Sequence, residues 1–289
     1  MTQYSTMCDV LDALARLTPY EIDRRKVRIG PNRDGGYVYA DGITPQHNVL
    51  SFGVGYTCEF ENELGAMGNT VHMFDPTIDA PNGMHPNCTF HKKGVAAHSS
   101  ADRVYYSIAD ALDLAGFRRD RPTILKMDVE GAEFEALGFS TQETLARFEQ
   151  ISVEIHWLTH LGDQGYRAGF VNMLDALNRQ FTLFHVHANN CACTTVLSTY
   201  HQTSLGPMGA LTIAEVLELS FIRNDLIGPR QPNATYYPSE IDFPNSMHWP
   251  DHLLTFYPFV PGAERLGVEI RRQMERNERI YAGNVPDAP

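Results

Sequence analysis

A chain of 289 residues, 43% hydrophobic and 10% aromatic, has the apolar surface for one large α/β domain with appendages, which excludes intrinsic disorder as its resting state. Its 23 Lys and Arg stand against 35 Asp and Glu, a formal net charge of -12 that repels phosphate backbones and argues against nucleic acid as a partner. Five cysteines (Cys8, Cys58, Cys88, Cys191 and Cys193), odd in number and without zinc-knuckle spacing, exclude a disulfide framework and fit reduced thiols.

Residues 7–17 carry apolar side chains at helical spacing, and 1–27 read as an N-terminal helical segment. Asp34, Gly35 and Gly36 give a turn signal ahead of a β-like run at Tyr37, Val38 and Tyr39. Apolar strand-like runs follow at 48–54, 70–74, 89–96, 123–129, 150–156, 181–186 and 216–222. Helical patterns lie between them at 59–67, 108–116, 132–137, 142–148 and 166–178. This alternation predicts an α/β fold, a mostly parallel sheet with helices on both faces, spanning 28–225. Residues 226–289 read as a C-terminal cover: a Pro- and Asn-rich ordered loop at 228–250, a charged helix at 263–281 and a frayed tail at 282–289. The N-terminus lacks a basic-then-apolar signal pattern, and no stretch approaches the roughly 18 apolar residues of a membrane span. The expectation is a soluble cytoplasmic protein with no membrane partner, its homo-oligomeric state left open.

In the first strand-like run, Val49 to Phe52 lead into Gly53-Val54-Gly55, and the next turn opens a helix. Glycines let the backbone turn tightly and approach a ligand, and a helix N-terminus supplies free N–H groups. A dinucleotide site would place a third glycine at position 58, where Cys58 stands, so the loop suits the amino-acid end of S-adenosylmethionine better than a pyrophosphate. Asp75 ends the second run about 20 residues past Gly55, the spacing of a carboxylate that grips ribose hydroxyls. The competing reading of Asp75 is a strand-end turn before Pro76.

The fourth run, residues 123–137, reads TILKMDVEGAEFEAL and delivers Asp128 and Glu130 to its carboxyl end, the edge where open α/β sheets bind ligands. Lys126-Met127-Asp128-Val129-Glu130-Gly131-Ala132-Glu133 strongly resembles the hallmark of the FkbM methyltransferases. Similar pieces occur in order at Asp34-Gly35-Gly36-Tyr37-Val38, Ser51 to Gly55, Met73 to Thr77, Val153-Glu154-Ile155-His156, His187 to Cys191 and Val216 to Ile222, so the resemblance spans roughly 28–224. It implies a Rossmann-like class I methyltransferase fold, a seven-stranded sheet whose seventh strand runs antiparallel. It further implies S-adenosyl-L-methionine as methyl donor and O-methylation of a sugar, glycoside or other small secondary metabolite. With it, Arg28 and the Asp34-Gly35-Gly36 turn are expected to close over the cofactor carboxylate. The cofactor-binding set is then Gly53, Gly55, Asp75, Gly94, Arg28 and Asp128.

An acceptor hydroxyl must lose a proton, to a base or to a metal that acidifies it. Asp128, Glu154 and His156 are the expected catalytic residues, converging at the ends of the fourth and fifth strands. Either His156 is the general base, its pKa suited to neutral pH, or Asp128 and Glu154 hold Mg2+ or Mn2+. Lys126 is expected to pair with an acid, and Glu133 to serve its helix start. His185 reads as structural, His187 differs from it only weakly because period two puts both on one side, and His160 stays open between a substrate loop and the surface. Tyr236, Tyr237 and Trp249 are weighed as a sugar-stacking wall against plain packing. Two other functions remain in view: an NAD-dependent oxidoreductase, and a catalytically silent cofactor-binding module.

Overall fold

Near-continuous apolar runs belong in strands covered on both faces. The structure, a computed structural model, describes residues 7–200 and 207–281, so the expected tail at 282–289 lies outside the described residues. The runs become β1 (Asn48–Phe52), β2 (Thr70–Phe74), β3 (Cys88–His91), β4 (Thr123–Met127), β5 (Phe148–Ile155), β6 (Phe181–Ala188) and β7 (Leu217–Arg223). They form one sheet in the order β3-β2-β1-β4-β5-β7-β6. Pairs from β3 through β5 are parallel, and β7 runs antiparallel to both β5 and β6. That order with a reversed seventh strand is the class I methyltransferase fold.

Period two divides the sheet into two faces. Leu50, Phe52, Leu125, Met127, Ile151, Val153 and Ile155 point into the main core. There they meet α1 (Met7–Leu14), α3 (Ile108–Leu114), α4 (Glu133–Gly138) and α6 (Gln164–Asn178) through Val10, Leu112, Phe134, Phe170 and Leu174. Each such side chain, fully buried, contributes roughly 1.5–3 kcal/mol. On the other face Val49, Val71, Met73 and Ile124 pack on Phe60 and Leu64 of α2 (Glu59–Ala66) and on Tyr37 and Tyr39. Those tyrosines belong to an antiparallel pair, Lys26–Ile29 with Tyr37–Ala40. Gln150 docks it: its Nε2 donates to the Ala40 carbonyl at 2.9 Å and its Oε1 accepts the Ala40 N–H at 2.7 Å.

Element ends follow local chemistry. α6 begins two residues before the predicted start because Asp163 caps it, accepting the Tyr166 N–H. α5 (Gln142–Leu145) is capped by Thr141 in the same way. The predicted strand at 89–96 breaks at His91, and Gly94–Val95 pairs separately with Tyr105–Tyr106. An antiparallel arm, Thr194–Tyr200 with Pro207–Ala214, was not foreseen in the sequence. The C-terminal segment lies as a cover: Tyr237, Leu254 and Phe259 enter the main core, before α7 (Ala263–Tyr281). Among the described residues no helix is long and apolar enough to cross a membrane.

Candidate active site

The chain steps outward from β1 through β2 to β3, then crosses to β4 on the other side of β1. A crevice forms where the order reverses, outside the carboxyl ends of the strands. There lies a cleft of about 340 Å³ lined by Asp34, Gly35, Tyr37, Gly53, Val54, Gly55, Glu59, Glu61, Asp75, Lys126, Asp128 and Glu130, among others. Lys126 is the one cation among the described residues of that lining, against six carboxyl groups. Such a lining favours a cationic guest and opposes a pyrophosphate.

The two glycines of the first turn do different things. Gly53 has φ 73°, and a Cβ there would sit 1.5 Å from the Asp128 carbonyl oxygen, so the ends of β1 and β4 touch only without a side chain. Gly55 has φ 65° and nothing within 4 Å of a Cβ, leaving bare backbone for a ligand to approach. Asp75 organises this loop: Oδ2 accepts the N–H groups of Val54 (3.0 Å) and Gly55 (2.9 Å). Its Oδ1 accepts the Thr77 N–H at 2.8 Å and the Thr77 hydroxyl at 2.6 Å. Burial opposes the Asp75 charge, but the bonds from Thr77, Gly55 and Val54 outweigh it and hold the carboxyl below its ordinary range. Asp75 thus lines the cleft, with one oxygen turned to the glycine loop and the other to Thr77.

Buried polar residues cross the sheet in rows. Ser51, Lys126, Ser152 and Ser220 stand in register on β1, β4, β5 and β7. Lys126 donates to the Gly53 carbonyl, and its Nζ lies 3.8 Å from Asp128 Oδ2, the expected acidic partner. Glu61, at the cleft floor, accepts the Ser51 hydroxyl at 2.5 Å, and burial raises its pKa in spite of Lys126. Nearer the carboxyl edge Glu154, Glu218 and His187 are in register on β5, β7 and β6. Tyr37 reaches across from the hairpin, its hydroxyl donating to Asp128 Oδ2 at 3.3 Å.

His156 stands just beyond β5, its side chain 5% exposed. Its Nε2 lies 3.4 Å from Glu130, 3.5 Å from Glu154 and 3.7 Å from Asp128. On the opposite side Glu133, wholly buried, pairs with Nδ1 at 3.3 Å and accepts the His156 N–H at 3.0 Å. Burial alone would lower the His156 pKa; the bond to Glu133 and the charges of Glu133, Glu130 and Asp128 outweigh it and raise it. The ring is therefore more basic than the sequence reading supposed. Glu154 is held well above the ordinary carboxylate range by burial and by Asp128 and Glu218, and it accepts the Asn189 amide N–H at 3.0 Å.

The three expected catalytic residues, Asp128, Glu154 and His156, thus meet around one point. Glu130 and Glu133 belong to the same cluster and were undervalued in the sequence, although both stand in the eight-residue run. Glu133 does more than serve its helix: Oε2 accepts the Gly131 N–H at 2.7 Å, tying that turn to β5. Other expected residues fall elsewhere. Arg28 donates to the carbonyls of Pro31 (3.1 Å) and Arg33 (2.9 Å), shaping the loop that carries Asp34 and Gly35 to the cleft rather than lining it. Gly94 makes room for the Tyr105 ring, 2.6 Å from where its Cβ would be, and is likewise outside the lining. His185 and His187 pin the cover through Asp242 and Asp251. Tyr237 is buried against His185 and belongs to no wall, while Tyr236, Trp249 and His160 are exposed.

Comparison with solved structures finds an rRNA methylase from Streptococcus thermophilus at 13% identity, over 77% of this chain and 99% of that one, with a TM-score of 0.33. SMU.1697c of Streptococcus mutans, solved in complex with SAH, is 10% identical over 74% of this chain and 94% of its own, with a TM-score of 0.30. A cyclopropane-fatty-acyl-phospholipid synthase-like protein from Lactobacillus casei is 11% identical over 75% and 100% of the two chains, with a TM-score of 0.33. No curated protein matches the chain. Residues 43–183, from before β1 into β6, match the methyltransferase FkbM domain, so the part of the chain that builds the cleft is similar to that family of methyltransferases.

Proposed function

We propose that the protein O-methylates a hydroxyl of a sugar, glycoside or other small secondary metabolite, with S-adenosyl-L-methionine as donor. The observation that carries this reading is the acidic cleft at the switch point, whose lining includes Asp128 and Glu130, with His156 beside both and next to Glu154. Its residues fit the donor: Gly55 leaves open backbone, and six carboxyl groups favour a sulfonium cation. Bound there, the sulfonium supplies a methyl group already activated for transfer. What remains for the chain is alignment of the acceptor oxygen and removal of its proton. Asp75 fixes the glycine loop and takes ribose hydroxyls by sharing oxygens that now serve Thr77. His156 takes the hydroxyl proton, with Asp128 3.7 Å from its Nε2 and Glu133 setting the ring's orientation. Glu154, pushed toward its neutral form, positions rather than deprotonates.

The oxidoreductase reading loses its ground, since a carboxylate-lined cleft repels a pyrophosphate and Cys58 occupies the third-glycine position. Calorimetry with S-adenosylhomocysteine tests the cofactor site. Binding is expected, and Asp75→Ala should weaken it ten-fold or more, about 1.4 kcal/mol or above. Labelled donor against a panel of hydroxyl-bearing sugars and glycosides tests the chemistry. There His156→Ala should lower turnover roughly 10²- to 10⁴-fold while cofactor binding persists. Absence of any S-adenosylhomocysteine uptake would end this reading, and cofactor binding without transfer to any acceptor would favour the silent module.

A further inference from the structure

We propose that Asp128, Glu130 and His156 hold one divalent transition-metal cation of the Mn2+ class at the acceptor end of the cleft. The carboxylate oxygens and imidazole nitrogen of these residues all lie within 4.8 Å of one another. Ligands on a shell of about 2.1 Å stand about 3 Å apart when adjacent and about 4.2 Å apart when opposite. The observed 3.4 Å from His156 Nε2 to Glu130 and 3.7 Å to Asp128 fall between those spans.

Carboxylates close together are not by themselves a metal site, and the independent observation is the histidine. Its side chain is 95% buried, being 5% exposed, and among the described residues its Nε2 makes no hydrogen bond, although it faces Glu130, Glu154 and Asp128 within ion-pair range. Its other nitrogen is fixed by Glu133, whose carboxylate is wholly enclosed and also holds the His156 and Gly131 N–H groups. An imidazole with one nitrogen locked by a buried carboxylate and the other open toward oxygen ligands is the arrangement of a metal-binding histidine and its supporting shell. Hydrogen bonding alone would draw Nε2 to one carboxylate, whereas here it stands off from three.

The ligand set also selects the ion. Two carboxylates and one imidazole suit Mn2+ better than Ca2+, which takes six to eight oxygens, or Mg2+, which prefers oxygen and water. Glu130 is 76% and Asp128 28% exposed, so the cleft side stays open to water and to an acceptor oxygen. Glu154, expected in the sequence to be a ligand, lies outside this set and is turned to Asn189. The purpose of the ion rests on the methyl-transfer reading above and alters one role in it: with Nε2 a ligand, His156 holds the ion rather than taking the proton, and a hydroxyl bound to the cation releases that proton to water more readily.

The test is made on the whole chain, stripped with chelator and free of cofactor. Free Mn2+ is followed by electron paramagnetic resonance as protein is titrated in. One Mn2+ per chain is expected. Glu130→Gln, at an exposed side chain, should leave the melting temperature unchanged and weaken Mn2+ binding ten-fold or more. His156→Gln should weaken it at least as much. No bound Mn2+, or affinity unchanged in either variant, overturns the proposal. Because nothing in this titration uses S-adenosylhomocysteine, its failure is distinguishable from failure of the methyltransferase reading.

Discussion

Gly53 and Gly55 look alike in the sequence, as the two ends of one Gly-x-Gly turn, yet they meet different surroundings. At Gly53 the space a Cβ would take is filled by the Asp128 carbonyl oxygen, 1.5 Å away, and the backbone is left-handed at φ 73°. No rotamer relieves a clash with backbone. Gly53→Ala must therefore push β4 from β1 where the cleft is built, and a loss of more than about 2 kcal/mol of stability is expected. Gly55→Ala adds a methyl group to open space and carries only the left-handed penalty, roughly 1–2 kcal/mol. It should instead reduce cofactor affinity, because the methyl stands where a ligand approaches bare backbone. Urea denaturation of both variants checks this, and equal losses would contradict the close contact between the two strand ends. The sequence shows that small residues are needed here. It does not show why, because the neighbour that excludes a side chain at Gly53 comes from β4, seventy-five positions downstream.

β6 supplies much of what fastens the cover to the sheet. On β6, His185 pairs with Asp242 at 2.8 Å, and His187 lies between Glu218 at 3.1 Å and Asp251 at 3.0 Å. Asn190, just beyond, donates to the carbonyls of Ser246, Trp249 and Pro250. Burial opposes a charge on His187, but the Glu218 charge and the bonds to Asp251 and Glu218 outweigh it and push its pKa up to about 10. A folded pKa above the unfolded value of about 6.5 stabilises fully below pH 6.5, and the gain is lost as pH climbs toward 10. Hydrogen exchange at residues 239–252 should therefore quicken steadily from pH 7 to about 10.5 beyond its intrinsic pH dependence. Asp251→Asn removes a charged partner, should cost about 1.5–3 kcal/mol and should move that loosening to lower pH. Protection that stays flat in both proteins would show that His187 does not hold the cover. Two histidines alternating in an apolar strand were a visible sign of a shared face. Their partners were not legible, because they come from a Pro- and Asn-rich segment without periodicity. The arm at 194–214 escaped for a similar reason: its first half, Thr194 to Tyr200, alternates too weakly to stand out as a strand.

At the scale of the whole molecule, the sheet was legible because its strands are covered on both faces and so read as nearly unbroken apolar runs. The reversed seventh strand followed from the family resemblance, but the strand order was not legible, since parallel neighbours are chosen by crossovers that leave no local trace. The active cluster was half legible: Asp128, Glu154 and His156 stand at strand ends, where alternation exposes them. Glu130 and Glu133 instead depend on a turn in which Glu130 itself has φ 52° and Gly131 φ 104°, a backbone path periodicity cannot announce. Charge is the property that sequence gives without any fold. The formal -12 is joined in the structure by a cleft whose described lining carries one cation among six carboxyl groups, so the global and local fields have the same sign. A nucleic-acid substrate would have to bring its phosphates into both. Non-specific binders, which have net positive contact surfaces, reach dissociation constants of about 10⁻⁴ to 10⁻⁶ M at physiological salt. This chain is expected to bind RNA fragments more weakly than that range, with no gain on lowering the salt, because both the net charge and the described cleft lining are acidic. Filter binding of structured and single-stranded RNA at 50 and 150 mM salt checks it. Micromolar retention that strengthens as salt falls would mean that the acceptor is read through phosphates and that the small-hydroxyl assignment is wrong.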